Sequence, residues 1–127
     1  KNKKVAAFLG FKNLFDTMVD KKHQVKTPFG IIDIQPKVFV SGEKVTALIR
    51  PESAKLIGEK APIQLGQLLI KGILTSVTFL GGYYQIRILL DSGEKLYFKF
   101  QNQVNLPETN SEIFIVIEKK DIEIIHQ

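Results

Sequence analysis

The pattern with the clearest capacity for chemistry in this chain is Arg50-Pro51-Glu52, which follows an apolar run. A proline cannot continue a central β-ladder, so a strand ending at Arg50 would stop here and leave the two charges at its exit. A guanidinium so placed forms a bidentate pair with a carboxylate or with a bound anion. We favour a structural salt bridge at the strand exit, and we keep Arg50 and Glu52 as candidate contact or ligand residues.

A second group of candidate contact residues is Tyr83, Tyr84 and Arg87. Alternation along a strand places Tyr83 and Arg87 on one face and Tyr84 on the other. An exposed tyrosine beside a cation resembles the stacking platforms with which OB-fold proteins bind single-stranded nucleic acid. Because no further exposed aromatic is evident in the first half of the chain, we favour an interpretation of the tyrosines as amphipathic boundary residues.

The sequence contains no recognisable catalytic or metal-binding pattern. His23 and His126 have no acidic partner at metal-ligand spacing, so we expect both on the solvated surface. No serine has the context of a nucleophile elbow, and no string matches a phosphate-binding P-loop. The absence of cysteine excludes disulfides and thiolate metal sites. We therefore predict no catalytic residue, no metal site and no cofactor-binding residue in this chain.

Composition indicates a globular chain of 127 residues, with 44% hydrophobic and 24% charged residues. No apolar run is long enough for a transmembrane helix. The net charge is +5, but the lysines are scattered and several neighbour acids, which is typical of a solvated surface. Nucleic acid is therefore not the partner that we expect. The chain lacks an initiator methionine, which suggests a fragment or a processed N-terminus.

These candidate residues must be positioned by β-strands, because no segment carries a helical stripe of three turns. Short apolar runs bounded by Gly, Asp and Pro turns predict an all-β barrel or sandwich. The predicted strands are 19–26 and 31–34 as a hairpin, then 45–49, 67–79, 83–90, 95–100 and 113–117, with 122–125 continuing the last of them beyond a break.

The chain also repeats itself. The stretch 45–57 is echoed at its apolar positions by 113–125, and the Phe-Leu-Gly of residues 8–10 returns at 79–81. Such an echo predicts two related β units. We expect one compact unit made of two halves, 1–60 and 61–127, joined near the Gly-rich and Pro-containing stretch 58–66.

Four motifs in order resemble a known family. They are residues 8–15 (Phe-Leu-Gly-Phe-Lys-Asn-Leu-Phe), 27–30 (Thr-Pro-Phe-Gly), 48–52 (Leu-Ile-Arg-Pro-Glu) and 72–81, the entry to the second half. On these strings the chain resembles the transport-associated OB domain (TOBE) at the C-terminal end of ABC importer ATP-binding subunits. The resemblance implies an all-β, OB-like architecture of two interleaved small barrels.

In that family the domain follows an ATPase domain, contributes to contacts in the ATPase homodimer and receives a protein or small-molecule regulator. The resemblance implies ATP and Mg in the parent subunit, indirect association with membrane permease subunits, and a cytoplasmic location at the inner face of the membrane. This chain has no P-loop, no Leu-Ser-Gly-Gly-Gln signature and no Asp-Glu pair closing an apolar strand, so we expect it to be non-catalytic.

Two other functions stay open. The serine-alanine-arginine-asparagine signature of the molybdate-binding members is missing, which speaks against molybdate but leaves a small-anion or polyamine sensor as one alternative. An OB-type module for single-stranded nucleic acid is the other. A sensor would be stabilised by its ligand, whereas a nucleic-acid module would show salt-dependent binding that Tyr83→Ala weakens.

Overall fold

A computed structural model describes residues 13–34, 37–101 and 104–127. Its regular structure consists of strands and one short 3-10 turn at Lys119–Asp121, in agreement with the predicted all-β class. The strands within these ranges are β1 Leu14–Met18, β2 Gln24–Thr27, β3 Gly30–Asp33, β4 Lys44–Ile49, β5 Lys55–Ile57, β6 Gln67–Phe79, β7 Tyr83–Leu89, β8 Lys95–Gln101, β9 Glu112–Glu118 and β10 Ile122–His126.

The strands fall into two compact units, each with its own core. One unit runs up to Ile49 and takes in Ile122–Gln127, and the other is Arg50–Asp121. The first contains a three-stranded sheet in the order β1-β4-β10 and the hairpin β2-β3. The second contains a five-stranded sheet in the order β5-β9-β6-β7-β8.

The five-stranded sheet is built around β6, whose alternating sequence explains its two faces. Leu68, Ile70 and Leu74 point inward and are buried, whereas Leu69 and Lys71 between them are exposed. On β8, Phe98 is fully buried and Phe100 nearly so, as their apolar positions in the alternating run predicted. A backbone hydrogen bond of 2.8 Å from Lys99 N–H to Pro51 C=O joins the edge of β8 to the chain that leads into β5. This connection between the two edge regions gives the sheet a barrel-like closure.

In the first unit, β4 is the central strand and is buried over nearly its whole length. Asn13 is almost completely buried, and its side-chain amide donates to the Ile49 carbonyl at 3.1 Å while the Ile49 N–H donates to the Asn13 carbonyl at 3.0 Å. Buried polar groups need such partners, and this pair fixes the start of β1 against the end of β4. Leu48 packs with Ile125 of β10 and with Leu14.

The halves exchange their last strands. β5 follows β4 in the chain yet pairs with β9, and β10 follows β9 yet pairs antiparallel with β4. The prediction that 122–125 extends the preceding strand was therefore wrong, because the 3-10 turn at Lys119–Asp121 redirects the chain into the other sheet. The units also divide the chain elsewhere than the halves 1–60 and 61–127, and stretch 58–66 lies inside the second unit.

The predicted strands 31–34, 45–49, 67–79, 83–90, 95–100 and 113–117 agree with the structure to within one residue at either end. The predicted strand 19–26 was too long, since β2 covers only Gln24–Thr27, and β1 was not predicted. The predicted bounds of the long strand, 67–79, are those of β6, and the hairpin at Thr27-Pro28-Phe29-Gly30 joins β2 to β3. Gly81 has a φ of +81°, as expected for the tight turn between β6 and β7. β5 was missed because three residues give no measurable alternation. Of the motif at residues 8–15, residues 8–12 lie outside the described residues.

The C-terminal strand is held by a hydrogen bond that sequence spacing did not reveal. His126 Nδ1 bonds to Glu43 Oε2, and the imidazole lies against the Phe39 ring with 4.5 Å between ring centroids. Glu43 Oε1 also accepts the Val40 N–H at 3.2 Å. The hydrogen bond from His126, and secondly that from Val40, hold the pKa of Glu43 below its ordinary value of 4.5.

Acidification is therefore expected to weaken the first unit through Glu43. A carboxyl with a lower pKa in the folded than in the unfolded state stabilises the fold at pH values above its unfolded pKa, and this contribution disappears as the pH falls through the folded pKa. As the pH falls below 4.5, the ordinary pKa of the Glu43 carboxyl, we expect the melting temperature of the wild type to drop more steeply than that of Glu43→Gln. Thermal melts at a series of pH values measure this. Glu94→Gln, in an exposed turn, is the control, and identical pH profiles for wild type and Glu43→Gln would contradict the assignment.

Candidate functional site

The predicted contact residues Arg50 and Glu52 lie in the turn between β4 and β5. The Arg50 carbonyl accepts the Ser53 N–H at 3.2 Å and the Ser53 hydroxyl at 2.8 Å, which closes the turn. Arg50 is half-buried and Glu52 is exposed. Between them, the Pro51 carbonyl accepts the hydrogen bond from Lys99 of β8. The turn therefore runs beside the outer edge of β8.

The other three candidates separate as alternation predicted. Tyr83 and Arg87 lie on the outer face of β7, and Tyr84 lies on the opposite face with the buried Ile86 and Ile88. The Tyr84 ring contacts the exposed Phe79 ring with centroids 5.4 Å apart. Tyr84 also lines an open cavity of about 440 Å³ with the chain that follows β8, including Leu106 and Pro107.

Lys99 connects the two groups of candidates, which the sequence left apart. Its backbone bonds to Pro51, and its ammonium lies over the Tyr83 ring at 5.2 Å from the centroid. A cation at this distance from a tyrosine face is attracted by the ring quadrupole. The Arg50-Pro51-Glu52 turn, Lys99 and Tyr83 thus form one continuous surface on the second unit. We call the outward residues of β7 and β8 the β7–β8 face, and the Arg50-Pro51-Glu52 turn lies at its edge.

Arg87 is held in place by its neighbour on β6. Its Nε–H donates to the Thr75 hydroxyl at 3.0 Å, and that hydroxyl donates to the Arg87 carbonyl at 3.1 Å. Thr75 occupies a β-bulge, where the register of β6 against β7 shifts between Leu74 and Ser76. A bulge redirects a side chain that would otherwise pair across the ladder. Here it supplies a hydroxyl that orients the guanidinium beside Tyr97, which is directly opposite on β8.

A second concave site lies between β5 and β9. It is an open cleft of about 310 Å³ whose lining includes Glu59, Glu112, Phe114 and Leu106. Near it, the Lys71 ammonium contacts Glu112 at 3.0 Å and lies 5.9 Å from the centroid of the Phe114 ring. The hydrogen bond to Glu112 raises the pKa of Lys71, and the charges of Glu112, Asp91 and Glu59 add to this.

Other types of site are not supported by the described residues. Among them, no group of three or more His, Cys, Asp or Glu side chains is arranged to hold a metal ion. In the same part of the chain, no helix has the length and apolar character required to cross a membrane.

Sequence reasoning missed the residues that complete the β7–β8 face. Tyr97 and Lys99 were assigned only to an alternating strand, and Thr75 to the interior of a long one. The register of β7 against β8 brings Tyr97 and Lys99 next to the predicted residues Tyr83 and Arg87. Tyr97 lies opposite Arg87, and Lys99 lies opposite Gln85. A hairpin turn counted from Asp91 to Glu94 would have predicted this register approximately, whereas nothing in the sequence marks the bulge at Thr75.

The fold defines a class of protein, the OB-like β-barrel. The structure of the cytoplasmic molybdate-binding protein ModG, in a crystal form with molybdate bound, aligns with a TM-score of 0.74 over 93% of this chain and 98% of that one, at 12% sequence identity. At this identity the likeness concerns the fold alone.

The family follows from the sequence match. Residues 47–123 match the model of the TOBE domain, so the chain belongs to the TOBE domain family. It is also similar to the spermidine/putrescine import ATP-binding protein PotA of Borrelia garinii subsp. bavariensis, with 30% identity, and to that of Clostridioides difficile, with 28%. Each alignment covers 100% of this chain but 34% of the relative, so the chain spans about a third of the length of these proteins.

Proposed function

We propose that this chain is a non-catalytic regulatory and dimerisation domain of an ABC importer ATP-binding subunit. The observation that carries the proposal is the alignment of the whole chain with about a third of ATP-binding proteins of an importer, together with the TOBE match. The parent subunit would bind ATP and Mg and work at the inner face of the membrane with permease subunits. The chain itself would add contact surface to a pair of ATPase domains.

The physical role of such a domain is to make the contact area of the pair depend on its conformational state. A regulator that binds one state better than another shifts the population towards it, by no more than the difference between its two affinities. Arg50 and Glu52 are proposed as contact residues because their turn lies at the outer edge of β8. Tyr83 and Arg87 extend this surface, and Tyr84 lies on the opposite side of β7 at the 440 Å³ cavity.

The test uses the complete gene product that carries this chain. Its reading frame is expected to encode an ATPase domain ahead of the chain, and the purified protein to hydrolyse ATP while the chain alone does not. A protein lacking this chain should keep basal hydrolysis but show a weaker monomer–dimer equilibrium in analytical ultracentrifugation. A reading frame without an ATPase domain, or unchanged dimerisation after the deletion, would refute the proposal.

A second function, the sensing of an organic cation, is supported by the cleft between β5 and β9. Two carboxylates and an aromatic ring line it, and beside it a primary ammonium, that of Lys71, is held by Glu112 and lies near Phe114. Carboxylates and aromatic faces are the groups that bind alkylammonium ions. The relatives are spermidine/putrescine import proteins, which makes a diamine the first ligand to test.

Thermal melts of the chain with putrescine test this second function. We expect a saturable rise in melting temperature, because a ligand that binds only the folded state stabilises it. The rise should shrink in Glu112→Gln and persist in Glu94→Gln, which changes an exposed carboxylate in a turn. Equal shifts with sodium chloride of matched ionic strength, or a shift with molybdate instead, would exclude a cation sensor.

A further inference from the structure

The β7–β8 face has a composition that sets it apart from the scattered charge of the whole chain. The outward positions of the two strands alternate with the buried ones and are fully described by the structure. They are Tyr83, Gln85, Arg87, Leu89, Lys95, Tyr97, Lys99 and Gln101. These positions include three cations, two tyrosines and no carboxylate.

Arg87 on this face is pre-organised. Its side-chain hydrogen bond to Thr75, which we call the Thr75 brace, uses the Nε–H. The two terminal nitrogens of the guanidinium remain for other acceptors. A side chain that is already ordered loses less rotamer entropy on binding, which otherwise amounts to about 0.5–1.5 kcal/mol per side chain. A pre-positioned guanidinium is suited to a carboxylate because the two groups match in bidentate geometry.

Tyrosine and arginine on one patch are the residues that most often dominate protein interfaces. Tyr97 lies opposite Arg87, and Tyr83 lies under Lys99, so each tyrosine is next to a cation. Tyrosine supplies a large rigid contact area with a polar tip, and arginine supplies directional donors.

From this we propose that the β7–β8 face docks an acidic segment of a partner protein, with carboxylates on Arg87 and Lys99 and apolar or backbone groups against Tyr97. Complementary charge is what selects the partner, since like charges brought together at an interface are unfavourable. A second copy of this chain would present the same three cations and no carboxylate from its own β7 and β8 positions, so we expect the contact between copies at the Arg50–Glu52 turn.

Single-stranded nucleic acid fits this face less well than an acidic protein. Base stacking needs an open aromatic face, and the Tyr83 ring is already covered by the Lys99 ammonium while both tyrosines are half-buried. A carboxylate needs only the terminal nitrogens of Arg87 and the ammonium, and it leaves this arrangement intact. The proposal adds a partner class to the regulatory role proposed above, on which its biological meaning rests.

The experiment measures binding of a fluorescein-labelled, glutamate-rich peptide to the chain by anisotropy, at low and at physiological ionic strength. We expect binding that Arg87→Gln weakens by about fivefold to tenfold, because a bidentate, charge-assisted pair is lost. Thr75→Val retains the charge and the side-chain shape but removes the brace, and should weaken binding by about twofold to tenfold through the lost pre-organisation. Lys60→Gln, an equal charge change at an exposed site away from the face, is the matched control.

Arg87→Lys separates a folding defect from a binding defect, since it retains the charge but loses the planar fork and the Nε–H bond to Thr75. Its thermal melt should match that of the wild type while peptide binding weakens. Equal effects of Arg87→Gln and Lys60→Gln would overturn the proposal, because they would indicate diffuse charge attraction. Tighter binding of labelled oligo(dT), abolished by Tyr97→Ala, would overturn it in favour of nucleic acid. Either result leaves the ATPase and dimerisation tests of the complete protein unaffected.

Discussion

Gly72→Ala is expected to destabilise the second unit by about 1–3 kcal/mol, the usual effect of forcing extra atoms into a packed core. Gly72 lies at an inward position of β6, between the buried Ile70 and Leu74. A methyl group there would meet the Ile88 side chain and would come within 2.7 Å of the Leu89 carbonyl oxygen. The carbonyl belongs to the paired strand β7 and cannot move without disturbing the ladder, so β6 and β7 would be pushed apart.

Urea unfolding monitored by far-UV circular dichroism measures this loss of stability. The chain has no tryptophan whose fluorescence could report unfolding. The control is Gly58→Ala, because Gly58 has nothing within 4 Å of an added methyl group. That control should be neutral or slightly stabilising, as alanine restricts the unfolded chain more than glycine does. Equal stability of Gly72→Ala and Gly58→Ala would show that the close approach of β6 to β7 is not tight.

Removal of the last six residues, 122–127, is expected to unfold the first unit while the second remains folded. Ile122 and Ile125 are buried, and each contributes about 1.5–3 kcal/mol by leaving water. The deletion would also open one edge of the buried central strand β4, whose residues Ile49 to Val45 pair with Ile122 to His126. Together with the opened strand edge, these two losses are comparable to the lower end of the total stability of an ordinary domain, about 5–15 kcal/mol.

Nuclear magnetic resonance distinguishes the two units in this variant. Amide signals from 13–34 and 37–49 should collapse into the range of unfolded chains, and those from β6 to β9 should stay dispersed. A synthetic peptide of sequence 121–127 added in excess should restore the lost signals, because it supplies the missing strand. Gln127→Ala, which removes only the hydrogen bond to the Val45 carbonyl, is the mild control. Retention of all signals in the truncated chain would contradict the assignment of β10 to the first core.

Local patterns in the sequence were sufficient for most strands. The runs at 67–79 and 95–100 alternate clearly, and turn residues such as Gly81 need a backbone that glycine adopts freely, so these elements could be predicted. Ile122–Ile125 shows the limit of such patterns. Its apolar residues indicate a strand. The sheet that it joins is decided by the three-residue turn before it and by the hydrogen-bonding edge of β4, and neither produces a periodic pattern in the sequence.

The same limit applies to the candidate surfaces. Tyr83 and Arg87 were placed on one face by strand alternation alone, which the register confirms. The interpretation of the tyrosines as isolated boundary residues depended on the lack of another aromatic nearby, and it compared only positions within one strand and the first half of the chain. Tyr97 comes next to Arg87 through pairing with β8, and His126 meets Glu43 through the packing of β10. Contacts between distant segments of the chain are fixed by tertiary structure, and residue spacing does not record them.

The exchange of terminal strands also bears on ancestry and on engineering. β5 and β10 correspond in the internal repeat, and each completes a sheet made mostly from the other repeat. A single repeat would lack the strand that the other repeat supplies, so it would complete its sheet only by exchanging tails with a second molecule. Two linked repeats make that exchange within one chain. A graft of this domain onto another protein would therefore need both repeats.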